Sequence, residues 1–528
     1  MPVRRWEVAA LVALIALLLV GNGAWIVHHR SSAGVDSDEV NLINQAEDDR
    51  LALHEHPTAL LTWPNHELAP SAETAPAVPI AAGISMEVFG HNLLATMLPI
   101  LAATGVLVAA AWAVARQLGA RSWSLLAAAV VGVAPVTVWF SRSHHHIVPA
   151  AACFTACVAI GLRTRRLERR GWSVALGVAI GCTVLVRTML VVIAPWALVA
   201  WVIVLLARRP VAPGRWVNVA LAGSAAVVVA SWWWAIRYRP ALHYLLHGPV
   251  TSDAAPWWDI RLEVRSLGQV VTGDKYANIA WIAVILLVAL LAACLLANVR
   301  RRWLRLEDAY VLLVLVPTFG ALILAKDDFP GFFLLVAGPA IPWAISVAVR
   351  APWRVVRRGS LALWAALALL GAFHFGDAER GWYPVQAQRP ATAAALDGSA
   401  WDAFYARILD EASVPPDPGC TTHVIVPQGD PRLAYGNLRW ALLVQHGAAE
   451  QSTRFTGLFD ADQLETRAAD ARREGAAVVL LHDSDETQIS YRDASRAYRR
   501  AGLRRTSTTR SPDGWSAEVW RSRTTSSC

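Results

Sequence analysis

Charge is scarce in this chain. Acidic and basic residues make up 17% of its 528 residues against 55% hydrophobic, and the mean hydropathy is +0.39. That balance excludes a single soluble globule and points to a membrane protein of more than one domain. Cysteine is scarce too. Cys153, Cys157, Cys182 and Cys294 lie inside apolar runs, where a thiol behaves as a small hydrophobe. Only Cys420 and Cys528, in the polar tail, are left as a disulfide pair. There is no metal-finger spacing, no internal repeat and no long low-complexity linker. The net charge of +8 would suit nucleic acid, but the bases sit in short connections between apolar runs, which excludes nucleic acid as a partner.

What the chain has in quantity is apolar runs. The first, EVAALVALIALLLVGNGAWIV (residues 7–27), follows Arg4 and Arg5. It is longer than the roughly 7–15 residues of a signal-peptide core and ends at no clean cleavage site, so it reads as a retained signal anchor. At about 20 apolar residues per crossing, helices are expected near 7–27, 91–115, 122–139, 147–162, 172–187, 190–207, 217–236, 279–298, 308–325, 332–349 and 358–375. The fold class is thus an α-helical polytopic membrane protein of about eleven transmembrane helices, residues 1–375.

Loop charge orients them. With a cytoplasmic N-terminus, the connections at 116–121, 163–170, 207–215, 298–307 and 350–359 lie inside, and each is rich in arginine and nearly free of acid. The outer face receives the acidic 28–75 loop, FSRSHHH (140–146), RTM (187–189), the 237–278 loop, AKDDFPG (325–331) and the tail. Trp139, Trp232, Trp233, Trp234, Trp257, Trp258 and Trp281 would form an outer aromatic belt. The tail, 376–528, is polar, with buried strands expected at 422–429 and 476–484 and helices at 400–412, 433–447 and 460–475. It reads as an extracytoplasmic α/β domain.

The candidate reactive groups share the outer face. In VDSDEVNLINQAEDDR (35–50), the ordinary acidity of an exported loop accounts for Glu47, Asp48 and Asp49. Asp38 and Glu39 lie about a dozen residues beyond the first span, where the bilayer surface can desolvate a carboxylate enough to make it a general base. In SRSHHHIVPAA (141–151), three adjacent histidines cannot all face one ion, which argues against a metal. Either the stretch is a plain surface loop, or Arg142 with His144, His145 or His146 reaches a phosphate or sugar hydroxyls. Arg187 stands between two apolar runs, where a charge marks a site or snorkels to the interface. Lys326 precedes Asp327 and Asp328 in another outer loop. Bases facing acids at a membrane surface suit a lipid-phosphate donor and a hydroxyl acceptor, with one carboxylate to activate the hydroxyl. A phosphate leaves without a proton, so the acid and base pair of a glycoside hydrolase is not needed.

The chain resembles the integral-membrane glycosyltransferases of the C-type fold (GT-C), in the branch of protein O-mannosyltransferases and the lipid A aminoarabinose transferase. The resemblance rests on the Asp38-Glu39 pair beyond a single span, on the stretch from TAPAVPIAAGISMEVFG through VAPVTVWFSRSHHH, and on KDDFPGFFLLVAGPAIPW. It covers roughly the first 350 residues and rests more on architecture than on any short motif. It implies Asp38 as catalytic base with Glu39 beside it, and Arg142 and Lys326 as contacts to the lipid phosphate; His144, His146 and Arg187 join them as substrate-binding residues on the reading of their loops. VNLINQ replaces the aromatic-rich partner usual after the acidic pair, and phenylalanines replace the usual tyrosine near Lys326. The implied activity is transfer of a sugar from a polyprenyl-phosphate carrier to a glycan, lipid or protein of the cell envelope. No cofactor is required by the pattern; a divalent cation held with the help of Asp36 and Asp38 stays open. The rival readings are an envelope polysaccharide polymerase or ligase, and a non-catalytic scaffold or transporter subunit. A transporter would carry ionisable groups at mid-membrane depth.

Overall fold

The computed structural model describes every residue except 1–3, 31–36, 66–67, 69–74, 208–211, 248–269, 271, 273–276, 301–304, 325–329, 377–397, 413–421, 428–432, 434, 447–452, 458–463, 483–489, 513 and 523–528. Cys420, Cys528, Asp36, Lys326, Asp327 and Asp328 lie outside the described residues, and so do Trp257 and Trp258.

Every apolar stretch expected to cross a membrane falls on a helix or on two successive helices. The first is α1 (Arg5–His29). After α2 (Ser37–Glu55) and α3 (Ala77–Phe89) comes α4 (Leu93–Gln117), whose first turn is closed by Asn92, the side chain accepting from the Ala95 N–H at 2.8 Å. The next span breaks into α5 (Ser124–Val133) and α6 (Pro135–Phe140) because Ala134 precedes a proline and is held extended, with φ −57° and ψ 135°. Then follow α7 (Ile147–Arg163), α8 (Arg170–Val186), α9 (Leu190–Ile193), α10 (Trp196–Leu206), α11 (Pro213–His247), α12 (Ala277–Arg300), α13 (Leu306–Leu324), α14 (Leu334–Arg350) and α15 (Arg354–Phe373). Among the described residues six helical segments are long and apolar enough to cross a bilayer, and shorter apolar helices complete the bundle.

Small residues let the helices approach. In GVAIG (177–181), a Cβ on Gly181 would lie 2.6 Å from Val229 and 2.8 Å from the Ala226 carbonyl, and one on Gly177 would overlap the Ala222 carbonyl. Thus α8 meets α11 backbone to backbone, where lipid offers no hydrophobic drive and close packing must supply the attraction.

The connections gather at two ends of the bundle. The 25 residues of α4 span roughly 37 Å at 1.5 Å per residue. Near its start lie Glu39, the 141–146 turn and Arg187. Near its end Arg116 pairs with Glu7, while Arg166 pairs with Glu307 at 2.9 Å and Arg215 with Glu168. Arg116, Arg166 and Glu307 thus lie at the end of α4 opposite the 141–146 turn.

Three expectations are corrected. Among its described residues the acidic 28–75 loop is mostly helix. In α2, Val40, Ile43 and Ala46 recur at helical spacing and are buried against α3, where the missing side chain of Gly83 admits the Ala46 carbonyl. Glu47, Asp48 and Asp49 are therefore not merely solvated. Glu47 is buried, 2.8 Å from Arg50 and 3.3 Å from His91; Asp49 is buried; Asp48 pairs at 2.7 Å with Arg439 of the C-terminal domain. Among the described residues the tryptophans do not all stand in an aromatic belt. Trp139 and Trp233 are buried, and Trp232 donates to the Leu60 carbonyl at 3.2 Å, while the side chain of Trp281 lies outside the described residues. Finally, the helix expected at 217–236 continues to His247, taking up the start of the 237–278 loop, most of the rest of which lies outside the described residues.

The C-terminal region is a small α/β unit. Its helices are α16 (Gly398–Glu411), α17 (Tyr435–His446), α18 (Leu464–Arg473) and α19 (Tyr491–Arg500). Its strands are β1 (Thr422–Val426), β2 (Thr453–Gly457), β3 (Ala477–His482), β4 (Leu503–Arg510) and β5 (Ser516–Ser522), in the order β2-β1-β3-β5-β4. β1 runs parallel to β2 and β3, while β5 is antiparallel to both β3 and β4. Alternation sorts the two faces. Val424, Val426, Val479 and Leu481 pack in one cluster with Trp401, Phe404 and Trp440, whereas Ile425, Val478 and Leu480 pack with Leu464, Ala468 and Tyr498. Both faces are covered, which is why β1 and β3 read as continuous apolar runs.

Candidate active site

Where α6 ends, Ser141 to His146 form a turn whose every residue is buried. A hydrophilic hexapeptide does not bury itself without partners, because each unsatisfied polar group costs on the order of 1–3 kcal/mol. The partners come from five directions. Ser141 meets Thr104 of α4 at 2.8 Å and donates to the Thr137 carbonyl at 2.6 Å. Arg142 donates from Nε to Asn22 Oδ1 of α1 at 2.8 Å and from a terminal nitrogen to the Phe375 carbonyl. Its guanidinium lies between two rings, 4.4 Å from the Trp25 centroid and 4.9 Å from that of Phe375. Cation–π contact of this kind, in a desolvated setting, contributes roughly 2 kcal/mol toward the cost of burying the charge.

Arg30, the last cap of α1, ties the turn to α2. Its guanidinium donates to the backbone carbonyl of Arg142 and to Glu39 Oε2, and both Arg30 and Glu39 side chains are fully buried. The other oxygen of Glu39 accepts the His144 N–H at 2.5 Å. Glu39 thus fixes the first turn of α2 against the 141–146 turn across more than a hundred residues of chain. Asp38 is its neighbour in that first helical turn, and the side chain of Asp38 lies outside the described residues.

The histidines are buried, not set on a surface loop. His144 Nδ1 lies 3.1 Å from the Thr96 carbonyl. A carbonyl only accepts, so Nδ1 carries the proton and Nε2 is left as an acceptor; among the described residues it has no partner. Burial pushes the His144 pKa down to about 4, against a smaller opposing pull from Glu39, so the ring is neutral. His146 is likewise driven well below its ordinary value by burial first and by Arg187 second, and its Nε2 also lacks a partner among the described residues. His145 packs edge-on against Phe140 with centroids 5.6 Å apart.

Arg187 ends α8 in extended backbone, half-buried, with its guanidinium 4.2 Å from the ring of Phe332. The turn that carries Phe332 packs on the same region: a Cβ on Gly331 would lie 2.5 Å from Ile147 and 2.7 Å from Phe140. The structure therefore brings Glu39, Arg142, His144, His146 and Arg187 to one end of the bundle, beside the segment that follows Lys326. Two of them differ in use from what the sequence suggested. Arg142 does not present its guanidinium to the outside; it is enclosed by Trp25, Asn22 and Phe375. Glu39 has both oxygens committed to the fold. Residues that sequence reasoning missed are Arg30, Asn22, Thr96 and Phe375. The signal for Arg30 was there: a base directly after the first span, just ahead of a stretch rich in acids.

Comparison with known proteins bears on this end of the molecule. A family model described as dolichyl-phosphate-mannose-protein mannosyltransferase matches residues 73–234, from just before α3 into α11. No curated protein matches by sequence. Among solved structures, ArnT from Cupriavidus metallidurans, solved in the apo state and bound to undecaprenyl phosphate, aligns over 96% of this chain and 97% of its own, with 14% identity and a TM-score of 0.59. The arabinofuranosyltransferase AftD from Mycobacteria aligns over 98% of this chain and 42% of its own, at 15% identity and a TM-score of 0.57. The oligosaccharyltransferase AglB from Archaeoglobus fulgidus, in complex with an inhibitory peptide and a dolichol-phosphate, aligns over 90% of this chain and 69% of its own, at 13% identity and a TM-score of 0.51. The chain has the C-type membrane glycosyltransferase fold.

Proposed function

We propose that the protein is a membrane glycosyltransferase that takes a sugar from a polyprenyl-phosphate carrier and passes it to a hydroxyl of an envelope glycan, lipid or protein. The observation that carries this reading is the clamp of Glu39 between Arg30 and the His144 N–H. It holds the first turn of an acidic helix at the mouth of a bundle with the fold of polyprenyl-phosphate enzymes, and Asp38 is the next residue along.

In this scheme Asp38 is the general base. It takes the proton of the acceptor hydroxyl as that oxygen attacks the anomeric carbon, and the carrier phosphate leaves with the bonding pair. Attack opposite the leaving group inverts the anomeric centre. Glu39, Arg30 and Arg142 are positioning residues. Arg187 and Lys326 are the cations for the carrier phosphate, which has no need of a proton when it departs. His144, neutral and with Nε2 as acceptor, and His146, neutral and with an Nε2 that has no partner among the described residues, suit sugar or acceptor hydroxyls and not the phosphate. The basic end of the bundle faces the cytoplasm and the site faces outward, as the loop charges require.

The test is transfer by purified protein in lipid from a panel of radiolabelled polyprenyl-phosphate sugars, with nucleotide sugars as the alternative donors. Transfer from a lipid-linked donor alone supports the reading. Transfer from a nucleotide sugar, or none from any lipid-linked donor, would overturn it.

A further inference from the structure

The opposite end of the bundle has a cavity of its own. Arg116 lies 20 residues beyond Thr96 on α4, roughly 30 Å from the 141–146 turn. There a cavity of about 780 Å³ is lined by Arg116, Arg163, Arg165, Arg166, Arg169 and Arg305. They come from three separate stretches of chain. Two carboxylates, Glu168 and Glu307, share the lining, so six guanidinium groups face two acids. Both acids are taken: Glu307 by Arg166 at 2.9 Å, Glu168 by Arg215. Arg116 pairs with Glu7. Among the described residues Arg163, Arg165, Arg169 and Arg305 have no carboxylate partner, and all four are exposed.

Arginine in such connections is expected from topology alone, so the question is whether this one has a shape. It does. Arg165, Arg166 and Leu167 are three consecutive non-glycine residues in left-handed backbone, with φ of 52°, 64° and 61°. Such a run is disfavoured for residues with a Cβ and persists only where the surroundings dictate it. They do so here. Leu167 is fully buried, its N–H donates to Thr164 Oγ1 at 3.1 Å, and its carbonyl accepts from Asn218 at 2.8 Å. A loop that served only to carry positive charge would need no fixed turn. Two indoles complete the wall: Arg163 lies 5.0 Å from the Trp172 ring and Arg116 5.5 Å from that of Trp112. The Trp112 Nε1 donor is buried and has no partner among the described residues.

Unpaired arginines, an orphan N–H and tryptophans at the ends of apolar helices are the chemistry that holds a phosphate at the level of lipid head groups. We propose that this cavity binds the phosphate head group of an anionic phospholipid. The proposal is independent of the sugar-transfer reading, since it concerns a different end of the molecule and a lipid that carries no sugar to transfer.

The experiment is native mass spectrometry of the full-length protein in detergent, titrated with phosphatidylglycerol, with phosphatidylcholine as the uncharged comparison and inorganic phosphate as the soluble one. Wild type should hold phosphatidylglycerol in preference to phosphatidylcholine. Arg165→Gln/Arg169→Gln should weaken it about thirtyfold and Arg305→Gln, from another stretch of chain, about fivefold, at the usual worth of each base near a lipid head group. Arg358→Gln, an exposed arginine outside the cavity, should leave it unchanged. Thermal melts of each variant would separate lost binding from lost folding. Equal phosphatidylglycerol binding by wild type and both cavity variants would overturn the proposal. So would binding of inorganic phosphate with the same arginine dependence and no gain from the lipid.

Discussion

Helix α7 joins two turns of similar composition and opposite fate. At its start, SRSHHH (141–146) is wholly buried, with Arg142 between two aromatic rings and its neighbours bonded to α1, α2 and α4. Beyond its end, RTRRLERR (163–170) buries only Thr164 and Leu167 and turns four of its five arginines outward. Hydrophilicity does not distinguish them. What does is the supply of partners: the first turn meets Arg30, Glu39, Asn22 and the Thr96 carbonyl, while among the described residues the second meets one outside acid, Glu307, for its five arginines, its own Glu168 being paired with Arg215. A charged turn is buried where the fold brings it a counter-charge and acceptors, and stays wet where it does not.

Stability measurements on the purified protein would sharpen or break that contrast. Glu39→Ala strands Arg30 in the interior and should cost the most, about 3–5 kcal/mol, read from thermal unfolding in detergent. If it unfolds like wild type, the buried clamp is wrong. Arg142→Met keeps bulk but leaves Asn22 and the Phe375 carbonyl without their donor, so a loss of about 2–3 kcal/mol is expected. Thr164→Val, at the other end of α7, removes both bonds of one hydroxyl, which accepts from the Leu167 N–H and donates to the Gly161 carbonyl, and should cost about 1–2 kcal/mol. Arg165→Gln should change stability by less than about 0.5 kcal/mol. A loss there as large as that of Arg142→Met would show that the outward arginines also hold the fold.

The bundle was legible because hydropathy is a local signal: some twenty apolar residues in a row need no tertiary knowledge to be read. The strands β1 and β3 were legible for the same reason. Missed were β4, LRRTSTTR, and β5, SAEVWRS, whose pairing at the sheet edge is set by partners far along the chain. The helix α2 hid behind its acids, although Val40, Ile43 and Ala46 carry its period. Which polar residues would gather was legible as a neighbourhood and not as roles. Glu39, Arg142 and the histidines do share one end of the bundle, but only the packing reveals that Glu39 and Arg142 serve the scaffold. Asp48 is unsuitable as a control for Asp38, because it joins α2 to the C-terminal domain through Arg439 and is no idle surface acid. Glu55, exposed at the far end of α2, serves better.

The central claim is that the anchored start of α2 carries the base. Its most direct test is the single-turnover rate of sugar transfer by Asp38→Asn and Glu55→Gln, with donor binding measured in parallel. The account predicts that Asp38→Asn binds donor normally but transfers about a hundred- to ten-thousandfold more slowly, the usual range for loss of a general base, while Glu55→Gln behaves as wild type. Full transfer by Asp38→Asn would contradict it.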